Sequence, residues 1–288
     1  MRVRQPDALS EIRPDESDEP IWRIVEVVVR FALVLCLLGC GRLGFGGGGS
    51  SGDGGGRMID AVASDPYSTA VLADGPIAYW RFDETSGTVA HDEVGGLDGT
   101  YTGGCTLGAA GALTSPDTAF GLDGATCYVE VGDQLSLGGA PAFTIELWAS
   151  ATTIDQSVRW LVNFDLGSST NTGYTLALHQ AMMGLMFEED NAGSAVVYAS
   201  ATTPSASSFH HIVVTATSSR QRLYVDGSLA TEQTQSGTPP ITAGTLVFGH
   251  IAKYLDSGTN FFHGTMDELA YYDKELTAAQ VAAHYAAR

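Results

Sequence analysis

The sequence is poor in basic residues. Its 288 residues include 14 Lys and Arg against 33 Asp and Glu, which gives a formal net charge of −19 at pH 7. Nucleic-acid binding needs clustered Lys and Arg to neutralise phosphates, and docking on anionic lipid needs them as well. The composition therefore argues against a nucleic-acid partner and against electrostatic attachment to a membrane. Such acidity is more typical of a solubility device than of a cationic partner.

A hydrophobic run long enough to cross a membrane is also missing. Residues 31–38 are apolar and are followed by Gly39-Cys40, whereas a transmembrane helix needs about 20 apolar residues. The run has the length of a signal-peptide core. Residues 37–40, Leu-Leu-Gly-Cys, resemble the bacterial lipobox, whose cysteine is lipidated after the leader is removed. The resemblance implies export and a lipid anchor on Cys40; a plain signal peptide with a chance cysteine is the alternative.

The segments around Cys40 extend this prediction. Residues 1–22 contain three Arg and six Asp or Glu, although a signal peptide begins with a basic segment. We therefore expect translation to begin later, at a valine codon such as Val25 or Val27. Residues 41–64 are rich in Gly and Ser, which is typical of a flexible tether. Gly41 stands where lipoproteins of the inner membrane often have Asp, so the resemblance implies the outer membrane or cell surface of a Gram-negative-type bacterium.

Cysteine is scarce, with four in the chain. Cys36 would leave with the signal peptide and Cys40 would carry lipid, so Cys105 and Cys127 remain as an even pair in an exported chain. We predict a disulfide between them. A metal site is disfavoured because neither a Cys-x-x-Cys spacing nor an adjacent histidine accompanies them.

From residue 65 onward, short runs of β-branched and aromatic residues alternate with Gly, Asp, Ser and Thr turns. Alternate residues of FTIELWA (143–149) fall on opposite faces of a strand, and Asp226-Gly227 is a hairpin signal. These patterns predict an all-β sandwich or jelly roll. The predicted strands are 77–82, 127–131, 143–149, 159–164, 174–179, 184–188, 195–200, 210–217, 221–227, 245–250 and 264–273.

The last residues have a helical pattern instead. In LTAAQVAAHYAAR (276–288), Thr277 and Gln280 form a capping box, and Leu276 is the hydrophobic staple residue before it. Val281 and Tyr285 share one face. We predict a short C-terminal helix docked on the sandwich.

Six motifs, in order, resemble bacterial laminin G-like domains of the concanavalin A-like lectin/glucanase superfamily. They are LADGPIAYWRFDETSGT, DEVGGLDGTY, FGLDGATCYVEVGD, FTIELWA, FHHIVVTATSSRQRLYVDG and GTMDELAYYDKELTAAQVAAHY. Phe209 stands where the family has Trp. The resemblance implies a two-sheet antiparallel jelly-roll sandwich with a short C-terminal helix over residues 65–288, after a leader of 1–40 and a tether of 41–64.

This superfamily contains lectins, adhesion modules, carbohydrate-binding modules and glycoside hydrolases. The hydrolases need two carboxylates across a cleft, and related glucanases carry them as E-x-D-x-x-E, which is missing here. Glu188, Glu189 and Asp190 stand together before Asn and Gly, and we predict a solvated turn there. His210-His211, at the family's strand-entry position, is expected to have a hydrogen-bonded structural role; a metal or catalytic role is the alternative.

Calcium is the expected cofactor, since it takes six to eight oxygen ligands from loop carboxylates and carbonyls. Asp267 resembles a calcium-ligand Asp of related jelly rolls, and Asp92 and Asp98 of the loop HDEVGGLDG are expected to join it. The alternative is that Asp92 and Asp98 form turns and that Asp267 caps a strand end.

Ligand contacts are expected in residues 250–264. Tyr254 offers an aromatic face there, and Asp256 and Asn260 offer carboxylate and amide groups, which suit sugar binding. Phe261 and Phe262 are expected in the core. The sequence as a whole predicts a non-catalytic, lipid-anchored surface protein that binds a glycan or a surface protein with the help of calcium. A divergent glycan hydrolase or lyase and a structural envelope component are the alternatives.

Overall fold

The computed structural model describes residues 65–114, 116–132, 140–154, 158–165, 172–179, 184–191, 195–199, 205–234, 248–251 and 260–288. The described residues all belong to one compact unit, Ala61–Arg288. Cys40 and the predicted leader and tether lie outside them. Within the described ranges no helix has both the length and the apolar character needed to cross a membrane.

In the described residues sixteen strands follow one another along the chain, with one helix before them and one helix after them. In chain order they are α1 (Pro66–Ala73), β1 (Ala78–Trp80), β2 (Val89–Ala90), β3 (Gly99–Thr102), β4 (Thr106–Ala110), β5 (Thr118–Asp123), β6 (Tyr128–Gly132), β7 (Ala142–Ala151), β8 (Val158–Asp165), β9 (Thr172–His179), β10 (Gly184–Asn191), β11 (Ala195–Ala199), β12 (His210–Thr217), β13 (Arg220–Val225), β14 (Ser228–Thr234), β15 (Phe248–Ile251), β16 (His263–Tyr272) and α2 (Ala278–Ala286).

These strands form two antiparallel sheets. The first sheet has the order β14-β13-β12-β7-β16-β5-β4, and β1 pairs with β16 beside β5. The second sheet has the order β11-β10-β9-β8-β15-β6-β3-β2. Every ladder between these strands is antiparallel. The predicted all-β, two-sheet jelly-roll class is therefore confirmed.

The central strands of the first sheet, β7, β12 and β16, are buried on both faces. Phe143, Ile145 and Leu147 of β7 point into the core between the two sheets. Trp148 points to the opposite face, into a second core that the two helices cover. The predicted alternation in β7 is therefore correct, but its second face is as buried as the first.

The two helices begin with side-chain caps. The carboxylate of Asp65 accepts the amide of Ser68 at 2.7 Å, with Pro66 in the first turn of α1. Thr277 and Gln280 form the predicted capping box of α2. Val281 is buried in the second core, so α2 docks on the sheet as predicted, whereas α1 has no counterpart in the sequence prediction.

Two further predictions have a structural outcome. The disulfide between Cys105 and Cys127 is confirmed, and it joins the β3–β4 connection to the β5–β6 connection. The turn predicted at Glu188, Glu189 and Asp190 is wrong, because β10 continues to Asn191 and all three residues pair with β11.

Candidate functional site

A bulge in β16 brings two neighbouring carboxylates to one place. The register shifts between Asp267 and Ala270, and Glu268 has a positive φ of 51°. Successive side chains of a regular strand point to opposite faces, and a bulge re-aims them. Asp267 and Glu268 therefore both place a carboxylate oxygen within 4.8 Å of one from Asp117. We call these three residues the acidic cluster.

The loop between β4 and β5 holds one oxygen of each aspartate. The amide of Ala112 donates to Oδ2 of Asp267 at 2.8 Å, and the amide of Leu113 donates to Oδ2 of Asp117 at 2.7 Å. A Cβ on Gly111 would lie 2.0 Å from Oδ2 of Asp117, so this cradle needs glycine. The other oxygen of each aspartate, Oδ1, is buried and accepts no hydrogen bond.

Burial favours the protonated form of these carboxyl groups when no cation neutralises them. It raises the pKa of Asp267, and the charges of Glu268 and Asp117 raise it further. Burial likewise raises the pKa of Asp117 and brings that of Glu268 to about 8, although the nearby Arg81 guanidinium opposes this rise. Nε of Arg81 lies 3.3 Å from Oε1 of Glu268. The acidic cluster thus gathers carboxylate oxygens in a largely buried position, where a proton or a cation would offset their charge.

The donor set fits calcium. Calcium prefers oxygen ligands and takes six to eight of them, and the cluster offers the two unpaired Oδ1 atoms of Asp117 and Asp267. Glu268 is a shared ligand, because it also pairs with Arg81 and accepts the hydroxyl of Tyr79. Backbone carbonyls or water would have to complete the shell.

Asp92 and Asp98 are not brought to Asp267. The carboxylate of Asp92 is saturated, and Oδ1 of Asp98 accepts the amide of Asp92 at 2.9 Å. Both residues therefore organise the turn before β3, which is the turn-forming alternative for them. The amides that donate to Asp92, at 2.8 to 3.0 Å, are those of Tyr79, Val94, Gly95 and Leu97.

The predicted ligand loop is described in part. Tyr254 and Asp256 lie outside the described residues. Asn260 has a positive φ of 71°, and its carbonyl accepts the amide of Trp160 at 3.2 Å. Phe261 and Phe262 are buried, as expected.

A second polar cluster lies under the helices. Glu146 is fully buried, and Nε2 of His211 lies 2.7 Å from its Oε1. Nδ1 of His284 lies 3.0 Å from both oxygens of Glu146, and its Nε2 lies 3.0 Å from Asp74. His211 is thus hydrogen-bonded inside the protein, which agrees with its expected structural role.

Sequence reasoning missed Asp117 and Glu146. Asp117 lies in the connection before β5, 150 residues from Asp267, and no spacing connects the two. Glu146 faces away from the inter-sheet core, where a strand pattern predicts solvent. The available signal in the sequence was that Glu146 shares its strand face with the large aromatic Trp148.

The two-sheet antiparallel sandwich with a closing helix defines a jelly roll. A family model described as the concanavalin A-like lectin/glucanases superfamily, laminin G type, matches residues 123–282, which is more than half of the chain. The chain belongs to this superfamily.

Solved structures share the fold at low sequence identity. Domain 4 of AbnA, a GH43 extracellular arabinanase from Geobacillus stearothermophilus in complex with arabinotriose, has a TM-score of 0.56 and 17% identity, with 73% of this chain and 98% of that chain covered. The binding domain of Paraclostridial Mosquitocidal Protein 1 has a TM-score of 0.59 and 14% identity, with 74% and 52% covered.

A Trypanosoma rangeli sialidase in complex with 2,3-difluorosialic acid has a TM-score of 0.53 and 13% identity. The match covers 75% of this chain and only 33% of the sialidase chain. No curated protein sequence matches the chain.

Proposed function

We propose that residues 65–288 form a binding domain, not a glycoside hydrolase, and that it recognises a glycan or a protein surface with the help of calcium. The observation that carries the proposal is the pair of buried Oδ1 atoms on Asp117 and Asp267, which have no donor. Buried carboxylate oxygens without a donor are costly unless a proton or a cation neutralises them. Calcium held there would fix the β4–β5 loop against β16.

The burial of this cluster favours binding over glycoside hydrolysis. Catalytic carboxyls of glycosidases flank the bond that is cleaved and lie about 5 to 9.5 Å apart. Asp267 and Glu268 are fully buried, and the three ligand atoms lie within 4.8 Å of one another. A sugar chain would not reach them.

The similar structures support a binding role. Domain 4 of the arabinanase is matched over 98% of its length, and that structure is a complex with arabinotriose. Another similar structure is the receptor binding domain of a botulinum neurotoxin C/D mosaic serotype, with a TM-score of 0.52. Glycans and surface proteins are therefore the ligand classes that we propose for this chain.

We also propose that lipid on Cys40 anchors the protein to the outer membrane or cell surface. The support is the lipobox-like sequence before the Gly/Ser-rich residues 41–64. Metabolic labelling with a fatty-acid analogue tests this, and we expect Cys40→Ser to abolish the label. Equal labelling of wild type and Cys40→Ser would exclude Cys40 as the acylated residue.

The binding role is tested with the full chain on a broad glycan array, once with calcium and once with chelator. We expect binding to one glycan class in calcium, loss of binding in chelator, and loss of binding by Asp267→Asn. Asp92→Asn is the matched control, because Asp92 lies outside the acidic cluster. Absence of binding in both conditions would overturn the glycan proposal and direct the search to a protein partner by pull-down.

A further inference from the structure

Ser205, His210 and Asp226 form a hydrogen-bonded row at the start of β12. Oγ of Ser205 lies 2.9 Å from Nε2 of His210. Nδ1 of His210 lies 2.8 Å from Oδ2 of Asp226. Neither the acidic cluster nor the Glu146 network includes these three residues. The inference drawn from them goes beyond the proposed binding role and does not depend on it.

The chemistry of the partners fixes the tautomer of the imidazole. An ionised Asp226 can only accept hydrogen bonds, so Nδ1 of His210 carries the proton and donates it to Asp226. In the neutral ring Nε2 is then an acceptor, and the hydroxyl of Ser205 donates to it. This order of bonds is the one in which a histidine acts as general base toward a serine nucleophile.

The backbone holds Asp226 in place. Asp226 has a positive φ of 50° in the two-residue turn that joins β13 to β14. Its amide donates to the carbonyl of His211 at 2.9 Å, and its Oδ1 accepts the amide of His211 at 3.1 Å. The carboxylate is therefore positioned before any substrate arrives.

The loop with the serine is also fixed, and it is open to solvent. Ser207 has a positive φ of 60°, and its amide donates to the carbonyl of Ala151 at 2.7 Å. This bond attaches the loop to the end of β7. Ser205 is exposed, and the side chain of His210 keeps 15% of its accessible surface. A small electrophile can therefore reach the hydroxyl.

We propose that Ser205 is a nucleophile for small acyl esters, with His210 as its general base and Asp226 as the positioning residue. Oγ of Ser205 attacks the ester carbonyl while Nε2 of His210 takes the hydroxyl proton. The ester C–O bond breaks, and the alcohol leaves with that proton. Water then attacks the acyl-serine while His210 takes a proton from it, the acyl C–Oγ bond breaks as His210 returns that proton to Oγ of Ser205, and the carboxylic acid is released.

The exposure of Ser205 indicates the class of substrate. An exposed serine hydroxyl can reach small acyl esters, such as acetyl esters. The acyl group can project from a larger molecule or belong to an ester of a small soluble alcohol. For His210-His211 the sequence left a catalytic role as the alternative to a structural one. Under this proposal His210 has the catalytic role, and His211 keeps its structural role.

The test exposes the full chain to a fluorophosphonate probe, in which an activated serine oxygen displaces fluoride. We expect labelling that peptide mass spectrometry places on Ser205, and no labelling of Ser205→Ala. Asp226→Asn keeps a residue that suits the turn before Gly227 but reverses the imidazole tautomer. We expect it to slow labelling by on the order of 10²-fold and to change its pH profile. Ser208→Ala, an exposed serine of the same loop, is the control and should label like wild type.

A second readout is hydrolysis of p-nitrophenyl acetate by the same variants. Loss of hydrolysis in Ser205→Ala, with an unchanged near-ultraviolet circular dichroism spectrum, would support the proposal. Labelling of wild type no faster than of Ser205→Ala, or a label on another residue, would overturn it. Asp226→Asn with the rate and pH profile of wild type would overturn the role of Asp226.

Discussion

The buried carboxylate of Glu146 requires hydrogen-bonding side chains around it. Its carboxylate is fully buried and accepts the hydroxyls of Tyr67 and Tyr272 at 3.0 and 3.1 Å, in addition to its bonds with His211 and His284. A buried charge is tolerated only when it is paired and hydrogen-bonded. The two helices each supply one of these partners, Tyr67 and His284, and strands of the sheet supply His211 and Tyr272.

We expect Glu146→Gln to lower the free energy of unfolding by about 3 kcal/mol or more, because breaking a buried ion pair leaves its partner uncompensated. Urea denaturation of the two proteins measures this. Glu275→Gln is the control, since Glu275 pairs with Arg220 and Arg222 at the surface and should cost about 1 kcal/mol or less. Equal losses in the two variants would show that the network contributes no more than a surface pair.

The same network predicts a pH dependence. Burial alone would raise the pKa of Glu146, but hydrogen bonds from His211 and His284 and their charges lower it below its ordinary 4.5. Burial alone would lower the pKa of His284, but Glu146 and Asp74 raise it above its ordinary 6.5. The histidine contribution is therefore fully present below pH 6.5 and is lost as pH rises through the folded pKa. The Glu146 contribution is present above pH 4.5 and is lost as pH falls through its folded pKa.

The stabilisation that His284 gives should therefore be largest between pH 4.5 and 6.5. The measurement is the difference in free energy of unfolding between wild type and His284→Gln, from about pH 4 to about pH 9. We expect this difference to shrink toward both ends of the range. A difference that stays constant across the range would mean that His284 acts through packing alone.

The capping or burial of individual residues was predicted where a local sequence pattern is sufficient to determine it. The capping residues of α2 and the buried Phe261 and Phe262 belong to this group. Asp267 was predicted as a calcium ligand, which stays a prediction, and its structural neighbours were not predicted. Its neighbour Asp117 is a turn residue in the sequence, and only the pairing of β5 with β16 brings the two together.

Strands were predicted where the sequence is rich in β-branched and aromatic residues, and they were missed where it is not. β12 is predicted residue for residue as 210–217, because residues 212–215 are an uninterrupted β-branched run. β4, with the sequence TLGAA, and β5, with TAFGLD, have glycine within them and too few β-branched residues to be recognised. The helix α1 has eight residues with little amphipathic character. Its Asp65 cap is a local hydrogen bond, whereas the burial of Tyr67 depends on the folded sheet.

The disulfide acts between elements, since it joins the connection before β4 to the connection before β6. Its sequence separation is 22 residues, for which constraint of the unfolded chain predicts a stabilisation of about 3 kcal/mol. We expect the double variant Cys105→Ala, Cys127→Ala to lose about this much free energy of unfolding in urea. Wild type with a reductant should approach the double variant, and the double variant should not respond to the reductant. A response of the double variant would place the effect elsewhere in the chain.

At the level of the folded domain, the acidic cluster joins parts of the chain that are far apart in sequence. Asp117 belongs to the β4–β5 connection, and Asp267 and Glu268 belong to β16. Arg81 extends the contact from Glu268 to Asp65 at the start of α1, with Nη2 2.8 Å from Oδ2 of Asp65. A cation in this cluster would therefore bind the native fold and not the unfolded chain, and it would stabilise the whole domain.

A ligand that binds only the native state at one hundred times its dissociation constant adds about 2.7 kcal/mol, which for a domain of this size raises the thermal midpoint by about 5–10 °C. We expect such a rise for the full chain in calcium relative to chelator, followed by differential scanning calorimetry. Asp267→Asn should abolish the rise, because it removes the charge next to the unpaired oxygen of Asp117. Asp92→Asn should keep the rise even if its midpoint is lower, because Asp92 is occupied by backbone amides of its own turn. An equal rise in Asp267→Asn would move the ion to another part of the protein and leave Asp117 and Asp267 as carboxyl groups that share a proton.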